Sequence, residues 1–255
     1  MRNPEAESAN DSREQAEALF HDGRVGRKDP RRHLDYAYKS VQDLYGFTDV
    51  PDDRRTGNVL EIGCFRGERA RKLSGFTGRY IGVDISEASI DHCRALGLPE
   101  PFHFIVDNAN ELRGIGTASI DYAFGDGVLH HLELERFVHA LDRVLKRDGY
   151  ARFIEPALGN FALRFFRHLT PKLRTPDEHP FDDNAIALLR RQFDVAIAHH
   201  GLLRPWLPML ALNHRGVTRW TRTLDNALLE HARWQRQAWL LLIELRRTRS
   251  RSKLH

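Results

Sequence analysis

The chain has 255 residues and a mass of 29.5 kDa, with 41% apolar and 29% charged residues, a mix that can bury a substantial core. No run approaches the roughly 18–20 consecutive apolar residues of a membrane span. The polar, acidic opening MRNPEAESANDSREQAEALF lacks the apolar stretch of a secretory signal, and two cysteines, Cys64 and Cys93, are too few for a disulfide framework or zinc ribbon. The expectation is a soluble protein of a reducing, cytoplasmic compartment. The net charge of +4 is concentrated at one end: residues 246–255 hold five Lys/Arg and no acid, leaving −1 on the rest, the pattern of a solvated terminus rather than a nucleic-acid grip.

In chain order, Ser12 with Gln15 makes a capping box that opens a helix, and Gly23 is expected to close it. Asp29-Pro30 starts a second helix, in which Leu34, Ala37, Tyr38, Val41, Leu44 and Tyr45 repeat at helical spacing and Gly46 provides a stop. A turn-rich linker, TDVPDDRRTG, follows. Residues 1–57 therefore read as a helical cap. From Asn58 the pattern changes to short apolar runs alternating with amphipathic helices. Strands are predicted at 58–62, 79–84, 102–107, 119–124 and 150–155, with helices near 67–75, 87–96 and 133–147 and Gly149 just beyond the last of these. A helix near 183–192, a sixth strand at 193–202 and a seventh at 238–245 complete the pattern. Single helices between strands, joined by right-handed crossovers, give an α/β doubly wound, mostly parallel sheet. The chain divides into the cap, a core over 58–202, a helical insertion over 203–236 rich in Leu, Trp and Arg, and a final strand with basic tail over 237–255. The insertion reads as a lid over a ligand, as extra core packing, or as an amphipathic surface for a membrane.

Doubly wound sheets bind ligands beyond the carboxyl ends of their strands, so those ends carry the chemistry. The first strand runs into Glu61-Ile62-Gly63-Cys64-Phe65-Arg66-Gly67, where two glycines permit a tight turn and close approach of the backbone to a ligand. The spacing departs from G-x-G-x-x-G, which excludes the dinucleotide fingerprint and disfavours a dehydrogenase. The second strand ends in Asp84, suited to both hydroxyls of a ribose; Ser86 fills the helix-capping role, leaving Asp84 for a ligand. The third ends in Asp107-Asn108, a donor–acceptor pair suited to an adenine edge, and the fourth in Gly125-Asp126-Gly127-Val128-Leu129-His130-His131-Leu132.

VLEIGCFRG, YIGVDIS, IVDNANEL, IDYAFGDGVLHHL and LDRVLKRDGYARFIEP resemble, in order and spacing, the motifs of class I S-adenosylmethionine-dependent methyltransferases of the small-molecule branch. The likeness spans about residues 58–156. It implies a Rossmann-like seven-stranded sheet with an antiparallel last strand, and S-adenosylmethionine as cofactor with S-adenosylhomocysteine as product. It also implies that Gly63, Cys64 and Gly67 line the methionine portion and ribose, that Glu61 orients the amine through water, and that Asp84 takes the ribose hydroxyls. Ile85 would lie beside the adenine, Asp107 and Asn108 would contact it, and the Gly125-Asp126 backbone would meet the amino group. Phe65 departs from the family pattern, standing where a middle glycine is usual, with its backbone N–H still expected to be on offer.

Methyl transfer from a sulfonium is a direct displacement, so holding nucleophile, methyl and sulfur in line supplies much of the catalysis. A base is needed when the acceptor must lose a proton, and histidine suits that task near neutral pH. The candidates are His131 after the fourth strand, Glu155 at the end of the fifth, and His179 beside Glu178 in TPDEHPF. His130 fits a partner in the turn as well as it fits a base, and His199-His200 belong to the end of the sixth strand. No metal site is expected, because adjacent histidines on a strand diverge and no further ligand has metal spacing. The resulting expectation is a methyltransferase acting at oxygen, nitrogen or carbon of a small, partly apolar metabolite. A membrane-associated quinone or lipid acceptor is the alternative, and a catalytically decayed cofactor-binding subunit is a third, suggested by Phe65. Nucleic acid is not an expected partner, since GDGVLHH lacks the motif of base-directed enzymes and no aromatic-interleaved basic patch is present.

Overall fold

The computed structural model describes residues 15–16, 18–19, 22–23, 42–157, 159–160, 181–204, 207 and 215–247. In chain order the regular elements are β1 (Asn58–Ile62), α1 (Glu68–Lys72), β2 (Arg79–Asp84), α2 (Glu87–Ala95), β3 (Phe102–Val106), β4 (Ile120–Asp126), α3 (Leu134–Val144) and β5 (Leu145–Pro156). They continue with α4 (Asp183–Gln192), β6 (Phe193–His200), α5 (Arg215–Leu229), α6 (Ala232–Gln235) and β7 (Leu240–Arg247). The strands form one seven-stranded sheet in the order β3-β2-β1-β4-β5-β7-β6. The first five are mutually parallel, and β7 runs antiparallel between β5 and β6.

The apolar run Val59-Leu60-Glu61-Ile62 is buried on both faces, as a central parallel strand requires. One face of the sheet packs Leu60, Ile62, Ala123, Phe153 and Ile243 against the apolar stripe of α3 and against Ala185 and Leu189 of α4. The opposite face is aromatic, joining Tyr80, Phe104, Tyr122, Phe124 and Tyr150 with Ala70 of α1 and Cys93 of α2. The order of strands reverses direction between β1 and β4, which sets the topological switch point at their carboxyl ends.

Boundaries differ from expectation in a few places, each with a local reason. The helix before β5 stops at Val144 because Leu145 pairs with Ile120, so Gly149 lies inside β5. A Cβ at Gly149 would stand 2.8 Å from the Ile120 carbonyl, at the register irregularity between Ile120 and Tyr122. Gly46 does not end its helix; a 3-10 turn runs over Gln42–Thr48, and the backbone is extended at Pro51. Gly23 is itself helical, as are residues 15–16, 18–19 and 22.

The Gln42–Thr48 turn packs Leu44, Tyr45 and Phe47 onto Ile154, Leu240 and Leu242, near the carboxyl ends of β5 and β6. The insertion buries Leu229 and Trp234 against Leu202, Leu203 and Ala238. Asp225 of α5 accepts the Leu203 and Arg204 backbone N–H groups, and Arg204 reaches Asp43 of the turn at 2.5 Å. The insertion and the N-terminal turn are thus linked over one end of the sheet. Among the described residues no helix is long and apolar enough to cross a membrane.

Candidate active site

The loop after β1 is held in its curve by its own backbone. Gly63 (φ +73°), Phe65 (φ +43°) and Gly67 (φ +66°) all take the left-handed region. Gly67 tolerates no side chain easily, since a Cβ there would meet Leu96 Cδ1 at 3.0 Å and Cys93 Sγ at 3.2 Å. The loop N–H groups turn inward: Gly63 and Cys64 both donate to the Val83 carbonyl, at 2.9 and 3.0 Å, and Phe65 donates to Asp84 Oδ2 at 2.9 Å. The sequence expectation that Phe65 offers its N–H to a ligand is therefore corrected. The Phe65 ring is half-buried, with the Arg66 guanidinium 5.0 Å from its centroid.

Asp84 is not left wholly to a ligand, as expected from the sequence. Its Oδ1 accepts the Ser86 N–H at 3.0 Å while Oδ2 holds the Phe65 N–H, so one buried carboxylate ties the end of β2 to the glycine loop. Ser86 caps α2 as predicted, accepting the Ser89 N–H at 3.0 Å. Its hydroxyl donates in turn to Asp22, which also accepts the Ala88 N–H. Ile85 is half-buried beside this cap. Beyond β3, Asp107 Oδ2 accepts the Gly114 N–H and Asn108 Oδ1 the Asn110 N–H, both at 2.9 Å, folding the loop back on itself.

A polar cluster lies where β1 and β4 end. Glu61 is buried and accepts a short hydrogen bond from the Tyr80 hydroxyl. Burial pushes its carboxyl up to about 8, against the hydrogen bond from Tyr80. Asp126 accepts from the Thr48 hydroxyl at 2.7 Å and pairs with Arg69 Nη2 at 2.5 Å, and burial also raises its carboxyl. Arg69 Nη1 reaches Asp49 at 2.5 Å, so this arginine of α1 pins the N-terminal turn to the strand ends. Cys64 and Cys93 are buried free thiols that share a hydrogen bond, which raises the Cys64 thiol and lowers Cys93.

Past β4, fully buried Glu155 organises the turn. Its Oε1 accepts the Val128 and Leu129 N–H groups at 2.9 and 2.7 Å, and its Oε2 lies 2.7 Å from His130 Nδ1. A carboxylate oxygen accepts, so Nδ1 donates and Nε2 is the ring nitrogen turned away from Glu155. The His130 and His131 rings lie 4.1 Å apart, and His130 Cε1 stands over Gly127. His199 and His200 end β6 as expected, and burial lowers both imidazoles. His179 and its neighbours in TPDEHPF lie outside the described residues. Among the described residues no group of three His, Cys, Asp or Glu side chains is arranged to hold a metal ion.

The structure thus brings Glu61, Gly63, Cys64, Gly67, Asp84, Gly125 and Asp126 to one end of adjacent strands, with Asp107 and Asn108 beyond the neighbouring β3. Sequence reasoning missed Arg69, Thr48, Tyr80 and Asp22. Arg69 is one of several basic residues in ERARK, and no spacing distinguishes it. Tyr80 follows the apolar alternation of β2 and reads as core.

Two features define the class: a seven-stranded sheet with an antiparallel β7, and acids gathered around a glycine turn at its switch point. Residues 60–153 match the family model described as "Methyltransferase domain". Over that stretch the chain is similar to methyltransferases, and its fold is that of S-adenosylmethionine-dependent methyltransferases. Over 94 residues it is 29% identical to the O-antigen chain terminator bifunctional methyltransferase/kinase WbdD of Escherichia coli, covering 35% of this chain and 13% of that protein. In fold it is similar to the geranyl diphosphate C-methyltransferase of Streptomyces coelicolor A3(2), solved with Mg2+, geranyl diphosphate and S-adenosylhomocysteine. That likeness has a TM-score of 0.61 at 13% identity and covers 91% of this chain and 97% of the other. A Thermotoga maritima S-adenosylmethionine-dependent methyltransferase gives a TM-score of 0.63 at 16% identity, covering 91% and 99% of the two chains.

Proposed function

We propose that this chain transfers the methyl group of S-adenosylmethionine to an oxygen, nitrogen or carbon of a small, partly apolar acceptor. The observation that carries the reading is the convergence of Glu61, Gly63, Asp84 and Asp126 at the ends of three adjacent strands. The donor set fits the cofactor. Glu61 and Asp126 share a site short of positive charge, suited to an amino-acid end with an ammonium group. Asp84 sets a carboxylate at the end of β2, a group suited to ribose hydroxyls. In this reading Gly63, Cys64 and Gly67 line the methionine portion and ribose, Ile85, Asp107 and Asn108 surround the adenine, and the Gly125-Asp126 backbone meets the amino group. When bound, the cofactor supplies an electrophilic methyl on a sulfonium.

The acceptor lies beyond β4 and β5, under the Gln42–Thr48 turn and the α5–α6 insertion. His130 and His131 serve its proton, and Glu155 fixes the His130 ring through Nδ1. Glu155 is then a positioning residue. Titration calorimetry is expected to give binding of S-adenosylhomocysteine in the micromolar range, and release of that product from S-adenosylmethionine across an acceptor panel identifies the nucleophile. No binding of either cofactor form would overturn the reading.

One observation favours the membrane-associated acceptor as a second reading. Trp220 of α5 is 66% exposed and neighbours exposed Arg219 and Arg222, a composition suited to an anionic bilayer surface. Co-sedimentation with anionic phospholipid vesicles, weakened by Trp220→Ala, would support it; no sedimentation would remove it.

A further inference from the structure

We propose that Glu61 waits for the cofactor as a neutral acid and holds it as an anion, so that docking of the cofactor's amino-acid end expels one proton to solvent. The inference rests on the cofactor reading above and concerns how this chain meets the cofactor's charge.

Among the described residues, three carboxyl groups, Glu61 of β1, Asp126 of β4 and Asp49 after the N-terminal turn, face one guanidinium, Arg69 of α1. Arg69 spends its donors on Asp49, Asp126, the Tyr45 carbonyl and the Thr48 hydroxyl. Glu61 receives a hydrogen bond from the Tyr80 hydroxyl of β2 instead. The other titratable groups around it are the Cys93 thiol of α2 and the Cys64 thiol of its own loop, neither of which brings positive charge. Glu61 is 6% exposed, so water cannot stand in for the missing cation.

A buried carboxylate without a cation of its own is costly to keep charged, and such groups take up a proton instead. Burial accordingly holds the Glu61 carboxyl at about 8 in the free chain. Ligands of a doubly wound sheet dock at the switch point, here the ends of β1 and β4. An ammonium brought there supplies the missing charge. The balance is simple: the O–H bond of the Glu61 carboxyl breaks, the proton leaves to buffer, and the carboxylate pairs with the ammonium without any covalent bond to it.

The test is calorimetric and needs no acceptor. S-adenosylhomocysteine is titrated at pH 7 in two buffers of different ionisation enthalpy, alongside 5′-methylthioadenosine, which lacks the amino-acid end. The expected result is close to one proton released per S-adenosylhomocysteine and none for 5′-methylthioadenosine. Affinity for the former should rise about tenfold per pH unit between pH 6 and 7.5. Glu61→Gln abolishes the release while binding of 5′-methylthioadenosine persists. An infrared difference spectrum of the wild-type chain adds a readout that needs no variant: the carbonyl band of a protonated carboxylic acid disappears on binding. Binding of S-adenosylhomocysteine with equal enthalpies in both buffers would overturn this inference alone, as would equal release by 5′-methylthioadenosine. Failure of both compounds to bind would overturn the cofactor reading with it.

Discussion

Single residues at the strand ends do double duty, and their substitutions separate support from chemistry. Asp84 braces the glycine loop and is proposed above to take the ribose hydroxyls, so Asp84→Ala loses charge-assisted hydrogen bonds of about 1.5–3 kcal/mol each. Calorimetry should show S-adenosylhomocysteine binding weakened at least tenfold. Glu155→Ala leaves two backbone N–H groups and the His130 Nδ1–H without their acceptor in a fully buried position. Urea denaturation should report a loss of about 2–4 kcal/mol, and Glu155→Gln should cost less because an amide oxygen still accepts the two N–H groups. Gly67→Ala is expected to destabilise by about 1–3 kcal/mol, since a Cβ at φ +66° also crowds Leu96 and Cys93. That Gly63, Asp84 and Asp126 gather at one end of the sheet was legible in the sequence because each stands at a strand end. That Asp84 is shared with Phe65, and that Glu155 binds His130 rather than acting alone, was not legible. Both depend on contacts between segments 19 and 25 residues apart.

At the level of elements, a second tie besides Arg69 joins the N-terminal turn to the body. Asp43 of the N-terminal turn, Arg204 after β6 and Asp225 of α5 connect three segments distant in sequence. The Arg204 side chain is 6% exposed while Asp43 is 45% exposed, so solvent screens one end of the pair. Arg204→Ala is expected to cost about 1–2 kcal/mol by urea denaturation. Faster amide hydrogen exchange should follow over 42–48 and 201–204, with β1 and β4 unchanged; uniform protection throughout would show that the turn holds without it. Strand and helix positions were largely readable from periodicity, because parallel strands are apolar runs and α3 carries a clear stripe. The ends were less so: Leu145 fits the stripe of α3 and the ladder of β5 equally, and pairing with Ile120 decides.

Across the whole molecule, the buried titratable groups set a pH window for stability. Glu61 has its carboxyl raised to about 8, above its value in the unfolded chain, so its favourable contribution is complete at low pH and is lost as pH rises through about 8. His199 and His200 are lowered by burial, so the unfolded chain takes protons more readily and stability falls as pH drops below the ordinary histidine range. Urea midpoints measured against pH should therefore peak between these limits. Glu61→Gln should flatten the alkaline limb; an unchanged limb would show that Glu61 is ionised in the free chain.

The amino-acid sequence by itself determined the alternation of strands and helices, the glycine turn, the acids that close successive strands and the family they resemble. Each is a local pattern, written in residues that neighbour one another along the chain. The tertiary structure alone decided that the glycine loop turns its N–H groups inward, that Arg69 serves Asp126 and the N-terminal turn, and that Glu61 sits among acids with one shared cation. Burial and charge balance are properties of what folding brings together, and no reading of spacing along one strand contains them.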